Sequence, residues 1–411
     1  MSPDWDVIIV GGGAAGLMAA SFAAERGRRT LVLEKNRKLG VKILMSGGTR
    51  CNITHDCSPK EIAEAFRIGG KFLYKALGQF PPESVIAWFE AEGVLTKVEA
   101  TGKVFPVSDK AIDVRDALVR HAEAAGATIR AQAAVKDIKK NESTFQVETD
   151  HSCERCSALI LTTGGKSYPG CGTVGDGYGW AKQFGHAIEN THAALTPLTT
   201  NEAWVHELSG LTLPDVDCWI RVRGNNPPIE HRRGAVLFTH TGLSGPEPMN
   251  LSRYVTAPDR NDEMEFVLNL SGEKNVESLL EKWKPELANP EKRTATTLIP
   301  AFVPKRLVDA ICTQIEITPQ KRLAEISRAE LRRLAMALSQ LVIPISGTRG
   351  FDKAEVTAGG VRLNEVDKAT MQSKLVSRLY FAGEILNLDG PIGGFNFQAA
   401  FATGAMAGRN A

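Results

Sequence analysis

A glycine-rich turn near the start of the chain has the spacing of a dinucleotide-binding site. Gly11, Gly13 and Gly16 form the pattern GxGxxG between a β-branched run and an Ala-rich stretch that begins at Ala14. Small residues here let the backbone approach a pyrophosphate, whose charge is stabilised by the N-terminus of the following helix. Glu34 ends the next strand-like run, where an acid would bind an adenosine ribose hydroxyl. That carboxylate would repel a 2′-phosphate, so the pattern predicts FAD or NAD rather than NADP.

A second glycine-rich turn, near the C-terminus, favours one of these two cofactors. Gly383 and Glu384 follow a strand-like run, and Gly393 and Gly394 open a final helix. The acid can accept hydrogen bonds from the hydroxyls of a ribityl chain. Backbone N–H groups at the helix start can stabilise negative charge on a reduced flavin ring. A capped helix on a tight turn is the alternative, but an NAD enzyme does not need this second turn, so we predict FAD.

Three further side chains are candidates for catalysis. His240 lies in a loop rich in Gly, Ser and Pro, where it could transfer a proton, although a structural role in capping carbonyls is favoured. Tyr168, between a serine and a proline, could line the flavin or serve only in packing. Cys51 would need a partner thiol for redox chemistry, with Cys57 the nearest in sequence, and an inert packing role is favoured. We take His240 and Tyr168 as the catalytic candidates.

The cysteines give no sign of a disulfide framework or a metal site. There are seven, an odd number, and they are thinly spread. Cys153 and Cys156 have CxxC spacing, but they stand between strand-like stretches without a second pair. We interpret them as thiols in a hairpin turn rather than as a redox pair. The sequence shows no metal-ligand spacing, so we predict no metal.

The elements that must position these residues recur at both ends of the chain. A strand, an Ala-rich helix and a second strand that ends at Glu34 form a βαβ unit. Proline-punctuated extended pieces predict a β-rich module after about residue 190, and interleaved charged and apolar residues predict helices from Val276 to about Ser339. Strand-like runs and a helix that begins at Phe395 follow. The sequence therefore predicts an α/β fold in which both chain ends build one sheet domain around two inserted modules.

Composition is that of a soluble globular protein. The chain has 411 residues, 43% of them hydrophobic and 23% charged, which suits two or three domains. Lysine plus arginine number 49 and aspartate plus glutamate 47, so no charge surplus indicates a nucleic acid or an anionic membrane. No apolar run reaches the roughly 20 residues that span a bilayer, and no basic leader is apparent. We expect a cytoplasmic protein without a membrane or nucleic-acid partner.

Several blocks of sequence, in a fixed order, carry a resemblance to a known family. The blocks are residues 40–52, 163–169, 175–177, 238–246, 356–361, 370–374, 381–384 and 389–396. With them the chain resembles the bacterial aminoacetone-oxidase-like and bile-acid-reductase-like FAD-binding enzymes, in the two-dinucleotide-binding-domain flavoprotein superfamily. Three positions depart from the usual pattern: Thr49 replaces a third Gly, Asn387 an Asp and Phe395 a Tyr.

The resemblance implies three domains and non-covalent FAD. It implies a discontinuous, GR2-type Rossmann-like FAD-binding domain (1–190 and 355–411), a β-barrel-like substrate domain (191–270 and 341–354) and a small helical domain (271–340). The loop 46–52 should wrap the flavin or its pyrophosphate, Val135 should meet the adenine through its backbone, and Thr163 with Gly164 should flank the adenosine end. The complete predicted cofactor-binding set is Gly11, Gly13, Ala14, Ala15, Gly16, Glu34, Lys35, Lys42, Ser46, Gly47, Gly48, Arg50, Cys51, Asn52, Val135, Thr163, Gly164, Gly165, Gly383, Glu384, Gly393, Gly394, Phe395 and Asn396.

Residues and resemblance together predict an FAD-dependent oxidoreductase that acts on a small molecule. FAD takes the one dinucleotide fingerprint, so NAD(P)H as electron donor would bind only transiently at the flavin; dioxygen as acceptor is the other possibility. We expect Tyr168 and the loop 239–242 to form the walls of the substrate cavity.

Two other classes of protein stay open. A tRNA-modifying flavoprotein shares the superfamily's fold but would need a basic docking surface, and a non-catalytic redox sensor would turn over slowly or not at all. The sequence leaves the substrate and the oligomeric state open.

Overall fold

The computed structural model of the chain describes residues 3–224, 227–258, 262–290 and 293–411. Residues 1 and 2, with which the predicted FAD-binding domain begins, lie outside them. The chain forms two compact units. The terminal unit comprises the chain up to Ala194 together with Phe351–Ala411, and the inserted unit is Leu195–Gly350. The finer division of the insertion into a β-rich and a helical domain stays a prediction.

The terminal unit is built from both chain ends. Its elements before the insertion are β1 (Trp5–Val10), α1 (Ala14–Glu25), β2 (Thr30–Leu33), α2 (Val41–Met45), β3 (Thr54–His55), α3 (Pro59–Ala65), α4 (Gly70–Gln79), α5 (Pro82–Ala91), β4 (Thr96–Val98), β5 (Lys103–Pro106), α6 (Ala111–Ala124), β6 (Thr128–Arg130), β7 (Val135–Lys140), β8 (Phe145–Thr149), β9 (Cys153–Leu161), α7 (Asp176–Gln183) and β10 (Ile188–Ala194).

The inserted unit and the return of the chain complete the order of elements. The insertion contains β11 (Leu198–Thr199), α8 (Ala203–Glu207), β12 (Thr212–Val222), β13 (Glu230–Thr239), β14 (Gly242–Ser244), α9 (Pro246–Leu251), α10 (Arg253–Thr256), β15 (Met264–Asn269), α11 (Val276–Ala288), α12 (Lys305–Gln314), α13 (Arg328–Ser339), β16 (Leu341–Ile345) and β17 (Gly347–Thr348). The terminal unit then resumes with β18 (Val356–Val361), β19 (Leu379–Phe381) and α14 (Phe395–Asn410).

A mixed sheet forms the centre of the terminal unit. Its order is β6-β2-β1-β9-β8-β7, with β19 also paired to β9. The strands β6, β2, β1, β9 and β19 are parallel, and β7 and β8 pair antiparallel. β1 and β2 are almost wholly buried apolar runs, as expected for parallel strands covered on both faces. This Rossmann-type sheet confirms the predicted α/β class and its construction from both chain ends.

The first and last helices of the chain pack side by side through small residues. A Cβ at Gly404 would lie 2.4 Å from the carbonyl oxygen of Ala15, and one at Gly408 would lie 2.3 Å from that of Ala19. The second contact lies four residues after the first in both helices, so α1 and α14 run parallel. At a rise of 1.5 Å per residue, α14 therefore begins about 12 Å before the start of α1 along their common direction.

The described residues of the inserted unit form a single antiparallel sheet and one hydrophobic core. The strand order is β16-β15-β12-β13-β14-β11-β17. β16 and β17 are at opposite edges yet adjacent in the chain, and the N–H of Ser346 between them donates to the carbonyl oxygen of Thr199 at 2.8 Å. The sheet therefore curls so that its edges meet, as in a barrel. Helical Leu307 and Leu334 share the core with strand residues such as Phe266.

Two local predictions were wrong. Cys153 and Cys156 do not form a hairpin turn; they open strand β9, where residues three apart face opposite sides of the sheet. The turn precedes them, with the N–H of Thr149 donating to the carbonyl oxygen of Ser152 at 2.9 Å. The sequence also predicts a short strand over residues 133–135, but β7 begins only at Val135. All seven cysteines are described and free.

Candidate functional site

The first glycine turn joins β1 to α1, and the backbone itself requires two of its glycines. Gly11 has a φ of +108°, and a Cβ there would lie 2.7 Å from the carbonyl oxygen of Thr162. A Cβ at Gly16 would lie 1.9 Å from the carbonyl oxygen of Gly11. Only glycine therefore lets α1, which begins with Ala14 and Ala15, start so close to the turn.

Gly13 differs from these two because no contact within the protein explains it. A Cβ at Gly13 would meet no described atom within 4 Å, and its φ of −86° is accessible to any residue. It is the N-cap residue of α1, and no side chain of the described residues caps this helix. The N–H groups of the first turn are therefore available to an anion that approaches the backbone beside Gly13. This geometry fits the pyrophosphate of a dinucleotide.

The carboxylate of Glu34 lies against this turn. Its Oε2 accepts a hydrogen bond from the N–H of Gly12 at 2.8 Å, and its Oε1 accepts one from the N–H of Asn36 at 2.8 Å. The residue is 7% exposed. Because each carboxylate oxygen can accept a second hydrogen bond, Glu34 is placed to bind the ribose hydroxyl that the spacing predicts.

The neighbours of Glu34 include two more predicted residues. Lys35 forms an ion pair with Asp176 at the start of α7. Val135 opens β7 two residues after Ala133, whose N–H donates to the carbonyl oxygen of Glu34 at 2.9 Å. The segment expected to meet the adenine therefore runs beside the end of β2.

Four separate segments meet at Glu384. Its Oε1 accepts hydrogen bonds from the hydroxyl of Ser167 at 2.6 Å and the N–H of Thr357 at 2.9 Å, while Lys42 donates to Oε2. Lys42 also donates to Ser167 at 2.6 Å. A Cβ at Gly165 would lie 2.3 Å from the hydroxyl oxygen of Thr357. The structure thus brings Lys42, Gly165 and Glu384 together and holds the carboxylate with protein donors.

The loop 46–52 has an unusual backbone. Gly47 and Gly48 have φ of +55° and +67°, and Thr49 and Cys51 have φ of +71° and +61°. The left-handed region suits glycine but strains other residues, most of all a β-branched threonine. The glycine usual at position 49 in the family thus has a conformational reason. Strain of this kind clusters at binding sites, where the surroundings hold it in place.

The side chains of this loop are held by the protein. The guanidinium of Arg50 donates a hydrogen bond to the carboxylate of Glu99 at 2.7 Å, and this bond raises the pKa of Arg50. The same guanidinium lies 4.0 Å from the ring centroid of Phe105. The N–H of Cys51 donates to the carbonyl oxygen of Ser46 at 3.2 Å. Cys51 is fully buried, and burial raises the pKa of its thiol to about 12. That thiol is a poor nucleophile near neutral pH because almost none of it is ionised.

Two buried oxygens at the predicted site lack a hydrogen-bond partner among the described residues. They are Oδ1 of Asn52 and Oγ1 of Thr163, which precedes the left-handed Gly164. Leaving a buried polar group unpaired costs about 1–3 kcal/mol. A ligand with hydroxyl and N–H groups would satisfy both atoms, so their chemistry fits FAD. The hydroxyl of Tyr178 is also buried and unpaired there, and burial, with a smaller effect from the Glu384 carboxylate, raises its pKa well above its usual range.

The C-terminal glycine turn presents a second helix start. Gly393 and Gly394 have φ of +137° and +92°, and a Cβ at Gly394 would lie 2.4 Å from the carbonyl oxygen of Thr54. No side chain in the described part of the chain caps α14. Asn396 closes the preceding turn: its Oδ1 accepts from the N–H of Gly390 at 2.8 Å and its Nδ2 donates to the carbonyl oxygen of Gly390 at 2.9 Å. The amide thus orients the turn, and its predicted contact with flavin stays a prediction.

The two helix starts, which no described side chain caps, are offset along a common direction. α14 begins about 12 Å before α1 in the same direction, so the two sets of N–H groups are separated along one line. That an anion binds at residues 11–16 and a flavin ring at residues 393–396 of one site stays a prediction.

Some residues of the site were missed by sequence reasoning. The ring of His55 stacks on that of Phe395, with centroids 4.8 Å apart, and its Nδ1 lies 2.9 Å from the carbonyl oxygen of Gly393. No sequence pattern points to His55. Ser167 and Thr357 stand within the blocks that carry the family resemblance, so those blocks contained the signal for the Glu384 network.

The two catalytic candidates belong to different units. Tyr168, in the terminal unit, is half-buried, has a φ of +56°, and donates its N–H to the carbonyl oxygen of Phe351 at 2.9 Å. His240, in the inserted unit, is exposed in the short turn between β13 and β14. The hydroxyl of Thr239 accepts a hydrogen bond from the N–H of Thr241 in that turn. Their catalytic roles stay predictions.

The described residues contain neither a candidate metal site nor a candidate membrane span. No group of three or more His, Cys, Asp or Glu there could hold a metal ion. No helix in the described ranges is long and apolar enough to cross a bilayer.

Comparison with known proteins identifies the family. The model of the HI0933-like protein Rossmann domain matches residues 5–410. This chain belongs to that HI0933-like family. The match covers nearly the whole sequence and agrees with the Rossmann-type sheet and the glycine turns. FAD is the cofactor of the chain, and the protein is a flavoprotein of the oxidoreductase type.

Three proteins illustrate what the chain is similar to. The ribosomal RNA dihydrouridine synthase of Escherichia coli is 33% identical over 97% of this chain and 96% of that protein. The 3-dehydro-bile acid delta(4,6)-reductase of Clostridium scindens is 28% identical over 98% of both. The solved structure of a 3-ketosteroid-delta4-(5alpha)-dehydrogenase from Rhodococcus jostii has a TM-score of 0.52 and 16% identity, covering 100% of this chain and 97% of that one. This last likeness concerns the fold alone.

Proposed function

We propose that this protein is a flavin-dependent reductase of a carbon–carbon double bond conjugated to a carbonyl, and that its substrate is a uridine in ribosomal RNA. Reduction of the uracil ring adds a hydride to one carbon and a proton to the next, which gives dihydrouridine. NAD(P)H supplies the electron pair and leaves as NAD(P)⁺. The expected small-molecule substrate becomes the second candidate.

The observation that carries this proposal is the match to the E. coli protein. It has 33% identity and extends over 97% of this chain, so it includes both glycine turns and the inserted unit. The match to the bile-acid reductase is equally long but weaker, at 28% identity. Both names describe the loss of a carbon–carbon double bond, so the type of reaction is supported by each. The choice of RNA rests on the stronger match.

The residues of the chain divide the work between binding and positioning. Bound FAD supplies a hydride from its reduced ring. The N–H groups after Gly13 bind the pyrophosphate, and Glu34 orients the adenosine ribose. The N–H groups at the start of α14, beyond Gly394, stabilise negative charge on the ring. The Lys42–Glu384 network fixes the segments between these two ends.

The proton must come from a side chain or from water. His240 is our first candidate and Tyr168 the second, because both carry an exchangeable proton and stand in segments that the family resemblance marks. His240→Ala should keep FAD bound and lower turnover on the order of a hundredfold. Tyr168→Phe removes one hydroxyl with little change in shape and serves as the matched variant. Turnover at the level of the unmodified protein in both variants would leave water as the donor.

A reoxidation experiment separates the two candidate substrates. The holoprotein is reduced with NADPH without oxygen and is then mixed with ribosomal RNA transcribed in vitro, or with steroids that carry a conjugated enone. The proposal predicts that unmodified RNA restores the absorbance of oxidised flavin rapidly, whereas the enones do so slowly. Rapid reoxidation by an enone with none by RNA would support the small-molecule reductase and overturn the RNA proposal.

A further inference from the structure

One face of α4 in the terminal unit is exposed, and its composition is unusual. Lys71, Tyr74, Lys75 and Gly78 recur at the spacing of a single helix face, opposite the buried side chains of the same helix. Tyr74 is 55% exposed, which makes it one of the most exposed large aromatic or aliphatic residues that the structure describes. Exposed aromatics among lysines are a feature of surfaces that bind single-stranded nucleic acid.

This face lines a groove with a positive charge. The groove has a volume of about 360 Å³ and is lined by Lys71, Tyr74, Lys75, Gly78, Gln79 and Lys368. It therefore contains three lysines and, among the described residues that line it, no carboxylate. None of these lysines forms an ion pair within the described ranges, so their charges stay available to a polyanion.

Gly78 is costly to the helix and nothing in the protein requires it. A Cβ there would meet no described atom within 4 Å. Glycine inside a helix is about 1 kcal/mol less favourable than alanine. Because position 78 is one turn after Tyr74 on the same helix face, a side chain there would compete for the space beside the tyrosine. With glycine there, a flat group such as a nucleobase could stack on the ring.

The start of α4 packs on the segment that leads to the flavin-binding helix. A Cβ at Gly69, just before α4, would lie 2.3 Å from the side chain of Leu388. A Cβ at Gly390 would lie 2.8 Å from the ring of Phe66. These contacts place the start of α4 against the segment that carries the turn opening α14.

From these observations we infer that the α4 groove, Lys71, Tyr74, Lys75, Gly78 and Lys368, is a docking surface for single-stranded RNA. The lysines bind successive phosphates and a base stacks on Tyr74. The inference rests on the proposed function, because it assigns the surface by which the RNA substrate is held. It supplies the basic surface that a net charge near zero does not reveal.

The first test measures the salt dependence of RNA binding. The probe is a fluorescein-labelled, uridine-rich single-stranded RNA whose anisotropy is titrated with holoprotein at several salt concentrations. Replacing Lys71, Lys75 and Lys368 together by alanine should lower the slope of log affinity against log salt by about two, since each phosphate contact contributes roughly 0.7. The matched control replaces the exposed Lys110, Lys182 and Lys274, which removes the same charge elsewhere and should keep the slope.

The second test concerns stacking and does not alter charge. Tyr74→Ala should weaken binding on the order of tenfold, whereas Tyr74→Phe keeps a ring and should bind like the unmodified protein. Gly78→Leu fills the space beside the ring, so it should stabilise the helix and weaken RNA binding at the same time. Opposite changes in stability and affinity separate occlusion of the groove from damage to the fold.

The outcomes distinguish the surface from the function. If the unmodified holoprotein reduces RNA and the lysine variant binds RNA with an unchanged slope, the α4 surface is wrong and the proposed function stands. If the unmodified protein neither binds the probe nor reduces RNA, the proposed function fails and the surface with it. Preferential binding to vesicles of anionic phospholipid, abolished in the lysine variant, would assign the groove to a membrane and overturn the inference.

Discussion

At the scale of single residues, Gly13 gives the clearest link between sequence and chemistry. Gly11 and Gly16 are required by nearby backbone atoms, but the space beside Gly13 is free of described atoms. Gly13→Val should therefore leave the fold nearly as stable and abolish FAD retention, because the isopropyl group would occupy the approach to the backbone. FAD content of the purified protein and its thermal unfolding measure the two effects.

The control for this prediction is Gly179→Val. Gly179 is exposed, its Cβ would also meet no described atom within 4 Å, and it lies outside the predicted site. This variant should keep its FAD. Full FAD occupancy in Gly13→Val would show that the phosphates bind elsewhere.

Thr49 is a residue in a conformation that suits glycine. Its φ is +71°, and the left-handed region costs a non-glycine residue about 1–2 kcal/mol. Thr49→Gly removes this strain but increases the entropy of the unfolded chain, so the net gain in the free energy of unfolding should be roughly 0.5–1 kcal/mol. Urea denaturation measures it. Thr49→Ala keeps the strain of a Cβ in the left-handed region and should bring a smaller gain than Thr49→Gly; equal stabilisation by both variants would contradict the explanation.

Cys51 links burial to pH dependence. Burial raises the pKa of its thiol to about 12, whereas a cysteine in an unfolded chain titrates at about 8.5. Between these values the unfolded chain loses a proton that the folded chain keeps, so stability falls as pH rises. Cys51→Ser should reduce the slope of this fall above about pH 9, and the exposed Cys153→Ser should leave it unchanged. Alkylation of Cys51 in the folded protein as fast as that of Cys153 would contradict this account.

At the scale of elements, the Glu384 network connects strand β18 with the segments that follow β2, β9 and β19. Its carboxylate accepts from Ser167, Thr357 and Lys42, which are all donors. In Glu384→Gln, the side-chain NH₂ group replaces a carboxylate oxygen that accepts hydrogen bonds, and Lys42 loses its counter-charge. The free energy of unfolding should therefore fall by about 1–3 kcal/mol. A double-mutant cycle with Lys42→Met should show a coupling energy above about 0.5 kcal/mol. Additive effects would mean that the two side chains act independently.

The predictability of the elements depended on how local their causes are. The βαβ unit with Glu34 and the helix after Gly394 could be predicted, because apolar runs and glycine turns are continuous in sequence. The hairpin assigned to Cys153 was wrong because strand β9 is longer than its apolar part and begins among polar residues. His55 could not be predicted at all, since its position depends on pairing between strands and on a stack with Phe395.

At the scale of the whole molecule, the cofactor was predictable and the arrangement of surface charge was not. FAD follows from two glycine turns whose helices pack in parallel through Gly404 and Gly408. A balance of 49 basic and 47 acidic residues pointed away from nucleic acid. Total charge, however, says nothing about its arrangement. Lys71, Lys75 and Lys368 share one groove only because the fold brings distant segments together.

The central claim is that reduced flavin in this protein passes its electron pair to uridine in RNA. The most direct test digests ribosomal RNA to nucleosides after incubation with holoprotein and NADPH, and measures them by mass spectrometry. The account predicts a uridine heavier by two hydrogens, formed in proportion to the NADPH consumed and absent with the FAD-free Gly13→Val variant. NADPH oxidation by the holoprotein with no heavier uridine at any RNA concentration would contradict it.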